Sequence, residues 1–197
     1  MSHLTPQLTM VRPRLSDLPA INLPAGYSIR VFRDGENTVW EGIIRQSFGS
    51  EMVFAEAMMS DACYDPNRVF FICCGDKPVG TGSDWFVPKW GLNVGFLHYV
   101  GVVPSHTGRG LGYHVSLAAM NRMRCMGKAK ALLLTDDHRR AAIATYLKLK
   151  FTPVLAHENQ RDRWRVVLSE LGGTELVGEF ARRLDGPVFE PGSTIPP

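Results

Sequence analysis

The feature that most constrains this chain of 197 residues is an apolar run that leads into a glycine-rich loop. The run covers residues 96–103 and ends at Pro104, and the sequence Thr-Gly-Arg-Gly-Leu-Gly follows at 107–112. This order predicts a strand, a turn and a helix that begins near Leu111. Glycines let backbone N–H groups converge without steric cost. The first turn of a helix adds N–H groups without intrahelical acceptors, at the positive end of the helix dipole. The loop is therefore a candidate site for an anion such as a pyrophosphate.

Spacing excludes two better-known phosphate loops. The chain contains no G-x-x-x-x-G-K-S/T sequence, which a P-loop requires. The third glycine comes too early for the dinucleotide fingerprint G-x-G-x-x-G, and no βαβ unit is predicted before it. What remains is a strand, the spacing x-x-x-G-x-G and a helix. A short glycine pattern alone is a weak signal. The alternative interpretation is therefore that these glycines only form a turn.

The pattern resembles the coenzyme A loop of the GNAT superfamily, the acyl-CoA-dependent N-acetyltransferases, in which Gln/Arg-x-x-Gly-x-Gly/Ala follows an apolar strand. Thr107 stands where the superfamily has Gln or Arg, and Arg109 can supply a charge instead. A second segment, 135–151, is similar to the superfamily pattern N-x-x-A-x-x-x-Y-x-x-x-G-F. It matches at Ala142, Tyr146 and Phe151 and departs from the pattern at two positions. Those departures are Arg139 for Asn and Lys150 for Gly.

The resemblance implies an α/β (α+β) fold in which helices flank a central, twisted mixed β-sheet. It also implies acetyl-CoA as co-substrate, and no metal. In the superfamily the strand before the loop splays from its neighbour and exposes backbone groups to the pantetheine and the thioester. The positions that would contact coenzyme A are Val100, Val102, Val103, Thr107, Gly108, Arg109, Gly110, Leu111, Gly112 and Arg139.

Two residues are candidates for acid–base catalysis. Tyr146 holds the position that the superfamily uses for a general acid near the thiolate sulfur, and a phenol with a pKa of about 10 is protonated at neutral pH. The alternative is a tyrosine that merely packs between helix and sheet. His98 is the candidate base, because an imidazole with a pKa of about 6.5 is largely neutral at pH 7. Asp84, Glu158 and water held by backbone carbonyls are competing bases.

Composition and charge limit the function classes. With 45% hydrophobic and 21% charged residues, the chain is typical of a soluble globular protein. It has no apolar run of about 18 residues and no secretory leader, which predicts a cytoplasmic protein without a membrane span. The net charge is +3, and residues 106–150 contain nine Lys or Arg and two Asp. Such a segment could attract nucleic acid, but no nucleic-acid motif accompanies it.

The cysteines lack the spacing of a zinc site and are expected to be reduced and buried. They are Cys63, Cys73, Cys74 and Cys125. Residues 1–24 are predicted to form an extended N-terminal arm, 25–171 a single domain and 172–197 a C-terminal tail. Within the domain the patterns predict the order β, α, α, β, β, β, α, β, α, β.

The sequence therefore predicts an N-acetyltransferase that moves an acetyl group from acetyl-CoA to a primary amine by direct attack in a ternary complex. The acceptor, a small molecule or a peptide, cannot be identified from any motif, and a homodimer is left open. The alternative is a non-catalytic acyl-CoA-binding regulatory module with the same fold. The departures at Thr107, Arg139 and Lys150 keep that alternative open.

Overall fold

The computed structural model of the chain describes residues 5–189. The strands are β1 (Leu8–Arg12), β2 (Tyr27–Val31), β3 (Val69–Cys74), β4 (Lys77–Trp85), β5 (Val94–Val102), β6 (Lys130–Thr135) and β7 (Thr152–Val154). The α-helices are α1 (Asn37–Phe48), α2 (Leu111–Cys125), α3 (Arg140–Lys148) and α4 (Gln160–Leu184). A π-helical turn covers Ala55–Met59, and 3-10 turns cover Pro66–Arg68, Pro88–Trp90 and Pro104–His106.

All strands belong to one seven-stranded sheet with the order β2-β3-β4-β5-β6-β1-β7. The β5–β6 pair is parallel and the other pairs are antiparallel, so the predicted mixed sheet is confirmed. The buried apolar side chains form two clusters. Leu132 of β6 packs in the first cluster, with Trp40 of α1, and its neighbour Leu133 packs in the second, with Trp164 of α4. Because successive strand side chains point to opposite faces, the sheet has an apolar core on each side.

The prediction of an N-terminal arm is wrong for Leu8–Arg12. These five residues are buried and form β1, between β6 and β7 in the sheet. Four prolines and weak periodicity in residues 1–24 favoured an arm, although neither excludes a short strand. The Arg12 side chain is 1% exposed and donates to Asp17 Oδ1 at 2.7 Å and to the carbonyl of Arg14 at 2.8 Å. A buried charge is tolerated where it is paired and hydrogen-bonded in this way. Residues 1–4 of the predicted arm lie outside the described residues.

The predicted C-terminal tail is also wrong in its first part. Helix α4 continues to Leu184 across a kink at Gly172 and Gly173, where the backbone leaves helical geometry. Phe180 and Leu184, four residues apart and hence on one helix face, are buried in the second core cluster. Two glycines kinked the helix without ending it, because apolar contacts continue beyond them. Residues 190–197 lie outside the described residues.

The expectation of four buried thiols holds for Cys73 only. All four cysteines are free, but Cys74 and Cys125 are exposed and Cys63 is half-buried. Cys74 ends β3 and Cys125 ends α2, and the ends of elements reach solvent more readily than their interiors. Across residues 5–189, no helix has both the length and the apolar character that a membrane span requires.

Candidate active site

Strands β5 and β6 stay together for only a short distance. Their parallel pairing runs from Val94 opposite Lys130 to Phe96 opposite Leu132. Beyond Phe96, β5 continues to Val102 in register with β4. Backbone groups on the β6 side of this part of β5 are therefore free of ladder hydrogen bonds. An opening of this shape accepts an extended ligand that pairs with the strand, as the sequence predicts for a pantetheine arm.

A β-bulge in β5 accompanies the opening. His98 pairs with Ser83 and Gly101 with Thr81, so that β5 has one residue more than β4 between these pairs. Tyr99 in the bulge has a φ of 47°, which is rare for a residue with a side chain. Bulges re-aim side chains and bend strands, and they are frequent beside active sites. No local pattern predicts this bulge, because the residues around it are typical of a regular apolar strand.

The glycine-rich loop connects β5 to α2 as predicted. Gly108 and Gly110 have φ values of 76° and 73°, and α2 begins at Leu111 with Gly110 as its N-cap. No side chain caps this helix end, and the first intrahelical bond joins His114 N to Gly110 O at 3.2 Å. The preceding N–H groups are thus available to a ligand. A Cβ built on Gly108 meets nothing within 4 Å, so the loop is open on that side. These features fit a pyrophosphate.

Arg109 is held by a residue that the sequence did not single out. Its Nη1 donates to the hydroxyl of Tyr27 at 3.1 Å, and the same hydroxyl lies 2.8 Å from His106 Nδ1. Tyr27 precedes Arg109 by 82 residues, so no local pattern could link them. The hydroxyl of Thr107 donates to the carbonyl of Pro104 at 2.9 Å. Thr107 therefore stabilises the turn, while Arg109 supplies the loop's positive charge.

Arg139 lies at the far side of the opening, directly before α3. Its Nε donates to Asp136 Oδ2 at 2.9 Å, and its guanidinium carbon lies 3.9 Å from the centre of the Phe48 ring. Phe48 ends α1 and also approaches the ring of Tyr99 on β5, with 6.2 Å between centroids. This cation–π contact thus places Arg139 close to the strand that has separated from β6.

Tyr146 is on α3 with its ring 5.9 Å from that of Phe151, centroid to centroid. The side chain is 7% exposed, and burial raises the pKa of the phenol to about 12, against a smaller opposing effect of the Arg139 charge. The phenol is fully protonated at neutral pH, which is the state that a proton donor needs. The same burial also fits the alternative of a packed tyrosine.

His98 is half-buried among aromatic rings on β5. The centroids of Tyr99, Phe96 and Trp85 lie 3.8, 5.4 and 6.0 Å from its own. Burial lowers the pKa of His98 to about 4, and the negative charge of Asp61 only partly opposes this. The imidazole is neutral at pH 7 and can accept a proton, but it is a weaker base than the sequence suggested.

The two competing carboxylates both lie near arginines, although Asp84 Oδ2 accepts no hydrogen bond within residues 5–189. Asp84 is 2% exposed, with Oδ2 at 3.6 Å from Arg122 Nε and 3.9 Å from Arg68 Nη1. Burial raises the pKa of Asp84 to about 6, although both cations oppose the shift. Glu158 pairs with Arg161 at 2.7 Å, which lowers the pKa of Glu158. Within residues 5–189 there is also no group of three or more His, Cys, Asp or Glu that could hold a metal ion.

Comparison with known proteins gives the family. The sequence model described as "Acetyltransferase (GNAT) family" matches residues 36–151, more than half of the chain. The chain belongs to this family. The resemblance stated from the glycine-rich loop and the segment around Tyr146 is therefore confirmed, because both lie inside the matched range. The fold expected from it, a mixed sheet flanked by helices, is confirmed as well.

The family's relatives include longer proteins. Two mycothiol acetyltransferases, from Thermomonospora curvata and Pseudarthrobacter chlorophenolicus, are 27% and 28% identical to 77% and 70% of this chain. These matches cover 53% and 46% of the relatives, so the chain spans about half the length of the curated relatives it matches.

Solved structures with the same fold include a GCN5-related N-acetyltransferase from Sphaerobacter thermophilus, with a TM-score of 0.59 and 19% identity. That match covers 76% of this chain and 49% of the other. A GCN5-related N-acetyltransferase from Kribbella flavida gives a TM-score of 0.54 and 20% identity, over 76% of this chain and 55% of the other.

Proposed function

We propose that this protein transfers an acetyl group from acetyl-CoA to a primary amine, by direct attack in a ternary complex. Membership of the family supports the reaction class. The observation that carries the proposal is the combination of two features at one end of β5: the strand separates from β6 after Phe96, and the uncapped N-terminus of α2 follows the glycine-rich loop. The first feature suits a thioester arm, and the second suits a pyrophosphate.

Each residue of the loop has a proposed role in binding acetyl-CoA. The backbone N–H groups of 108–112 bind the pyrophosphate, and Arg109 adds a positive charge that Tyr27 holds in place. The backbone of Val100 and Val102 faces the pantetheine and the thioester. The backbone of Val103, also expected from the sequence at this site, is already hydrogen-bonded, through its N–H to Val79 O and through its carbonyl to His106 N. Arg139 contacts the arm from the opposite side of the opening, where the family pattern has Asn.

The chemical step requires one proton to leave the amine and one to reach the sulfur. The neutral amine nitrogen attacks the thioester carbon, a C–N bond forms, and the C–S bond breaks. Tyr146 is the proposed donor to the leaving thiolate, since its phenol stays protonated at neutral pH. The amine proton passes to His98, directly or through water. Backbone N–H groups of the bulged strand would stabilise the developing oxyanion.

The second candidate is a regulatory module that binds acyl-CoA without catalysis. Three observations favour it: the burial of Tyr146, the low pKa of His98, and Arg139 in place of the family's Asn. Both candidates need the same coenzyme site, so binding alone does not separate them. A cytoplasmic location and a homodimer remain predictions for either one.

The test combines calorimetry with a panel of amines. We expect acetyl-CoA to bind one site per chain and coenzyme A to be released in proportion to the amine that is acetylated. Because the chain is similar to mycothiol acetyltransferases, the panel should include the kind of amine on which those enzymes act. Tight binding of acetyl-CoA without turnover on any amine would favour the regulatory module. Absence of binding would contradict both candidates.

A further inference from the structure

Six side chains around His98 form a second feature of the active-site face, here called the Asp61 cluster. Its members are Asp61, Cys63, Tyr64, Trp85, His98 and Tyr99. They come from the segment that follows α1, from β4 and from β5. Ring contacts join three of them: Trp85 lies 6.0 Å from His98, and His98 lies 3.8 Å from Tyr99, centroid to centroid. Tyr64 is linked to Asp61 through its backbone N–H, which donates to the Asp61 carbonyl at 3.0 Å.

The carboxylate of Asp61 is fixed in place yet exposed to solvent. Its Oδ2 accepts a hydrogen bond from Trp85 Nε1 at 3.1 Å, and its Oδ1 accepts one from the backbone N–H of Cys63 at 2.9 Å. Both donors are neutral, so these bonds orient the carboxylate without cancelling its charge. The bond from Cys63, and more weakly the one from Trp85, lowers the pKa of Asp61 and keeps it ionised at neutral pH.

The other titratable groups of the cluster are neutral at the same pH. Burial raises the pKa of the Cys63 thiol to about 11 and raises the pKa of the phenols of Tyr64 and Tyr99, so all three remain protonated. Burial also lowers the pKa of His98 to about 4, so the imidazole carries no charge. The cluster therefore has one charged member, and that charge is negative.

Charges on the neighbouring elements leave this imbalance in place. Arg68 acts on the Cys63 thiol, but its Nη1 is 3.9 Å from the buried carboxylate of Asp84. Arg122 is likewise paired, with Asp65 at 3.0 Å. Asp34 acts on Tyr64 and adds negative charge on that side. A protein surface with an excess of one sign of charge attracts ligands of the opposite sign.

The chemistry of the transfer decides which part of an acceptor this charge can bind. The attacking nitrogen must be neutral, so a carboxylate that stays ionised is better matched to a different, cationic group. We propose that Asp61 binds such a second positive charge, and that the preferred acceptors are diamines and other primary amines with an additional cationic group. The partly exposed ring of Tyr99 offers further cation–π stabilisation. This inference rests on the proposed acetyl transfer.

The experiment compares three acceptors of equal chain length: putrescine, its amino-alcohol analogue and its amino-acid analogue, γ-aminobutyrate. At pH 7 they carry two, one and no net positive charges. With the wild-type protein we expect kcat/KM to fall by about fivefold at each step, the upper end of what an ion pair at an exposed site contributes. The fall should appear mainly in KM and should shrink at high ionic strength.

The variant Asp61→Asn keeps the size of the side chain and removes the charge. We expect it to reduce the preference for putrescine over the amino alcohol to less than about twofold, and Asp61→Glu to restore the preference. The matched control is Glu175→Gln, an equal change of charge at an exposed position of α4, which should leave the preference unchanged. Thermal unfolding checks that each variant is folded.

Binding of putrescine, measured by calorimetry on the coenzyme A complex, does not depend on turnover. If no acceptor is acetylated but putrescine binds to the wild-type protein and not to Asp61→Asn, the proposed function would be contradicted and the cation site supported. Acetylation with equal efficiency for all three acceptors would overturn the cation site and leave the proposed function intact. An Asp61→Asn variant with unchanged charge preference, or with unchanged putrescine binding, would also overturn the cation site.

Discussion

The glycine-rich loop follows the end of β5, whereas the Asp61 cluster includes two residues of that strand, and the two features differ in how they are built. The loop is continuous in sequence and offers backbone N–H groups at the start of α2. The cluster is assembled from three separate segments and offers side chains whose protonation depends on burial. A backbone site recognises what all family members share, a coenzyme. A side-chain site is free to differ with each acceptor. The predictions below test this division, from the largest expected effect to the smallest.

Catalysis should depend on one hydroxyl on the coenzyme side. Tyr146→Phe keeps the buried ring and its contact with Phe151. If the phenol protonates the thiolate, kcat should fall by roughly 10- to 1000-fold. KM for acetyl-CoA should change little, because charge develops on sulfur only as the bond breaks. Steady-state kinetics with an accepted amine measures both constants. Wild-type turnover would remove Tyr146 from the mechanism and favour release of the proton through solvent.

On the acceptor side, the pH profile should reveal His98. Because burial lowers the pKa of His98 to about 4, the unprotonated base persists down to that pH. When kcat/KM is expressed per concentration of neutral amine, its acidic limb should therefore lie near pH 4 and not near 6.5. His98→Ala should lower kcat/KM at pH 7 by about 100-fold and remove this limb. A limb near 6.5 that survives in His98→Ala would assign the base to another group.

The coenzyme loop should be sensitive to backbone geometry alone. Gly110 has a φ of 73°, and an added Cβ would come no closer than 4.0 Å to His114, so the strain of Gly110→Val is conformational. Calorimetry should show weaker acetyl-CoA binding by at least about 1.4 kcal/mol, a tenfold loss.

Gly35→Val is the matched control for this change. Gly35 has a φ of 87° in a turn outside the loop, so the valine there should cost stability and leave the affinity unchanged. Unchanged affinity in a folded Gly110→Val protein would contradict the loop assignment.

The smallest effect concerns Lys150, at the end of α3. Its φ of 60° confirms the left-handed conformation that the family's glycine implied. Lys150→Gly relieves that strain but loses the exposed ion pair with Asp17, in which Nζ and Oδ2 are 3.0 Å apart. Since exposed pairs contribute little, the free energy of unfolding should rise by up to about 1 kcal/mol.

Lys150→Ala separates the two contributions, because it removes the ion pair and retains the strained φ. Chemical denaturation of both variants should rank glycine above alanine in stability. Equal stability of the two would show that the left-handed conformation has little cost at this position.

The elements with strong local patterns were predictable from the sequence. Strand β5, the glycine loop and α2 follow one another without interruption, and α2 begins at Leu111, where the sequence predicts it. The segment around Tyr146 forms helix α3, and Lys150 adopts the left-handed conformation that the family's glycine implies. Glycine punctuation and helical periodicity determine these features within a few residues of chain, so no distant contact is needed to read them.

Other features of the fold and the site depend on contacts between residues far apart in sequence, and only the tertiary structure determined them. Strand β1 is determined by its pairing with β6 and β7, which lie far along the chain. The bulge at Tyr99 arises from the register between two strands. Tyr27 reaches Arg109 across 82 residues, and Asp61 reaches Trp85 across 24. The low pKa of His98 follows from its burial among aromatic rings of β4 and β5. Local sequence specifies backbone conformation, whereas register, burial and electrostatic environment exist only after the elements have packed.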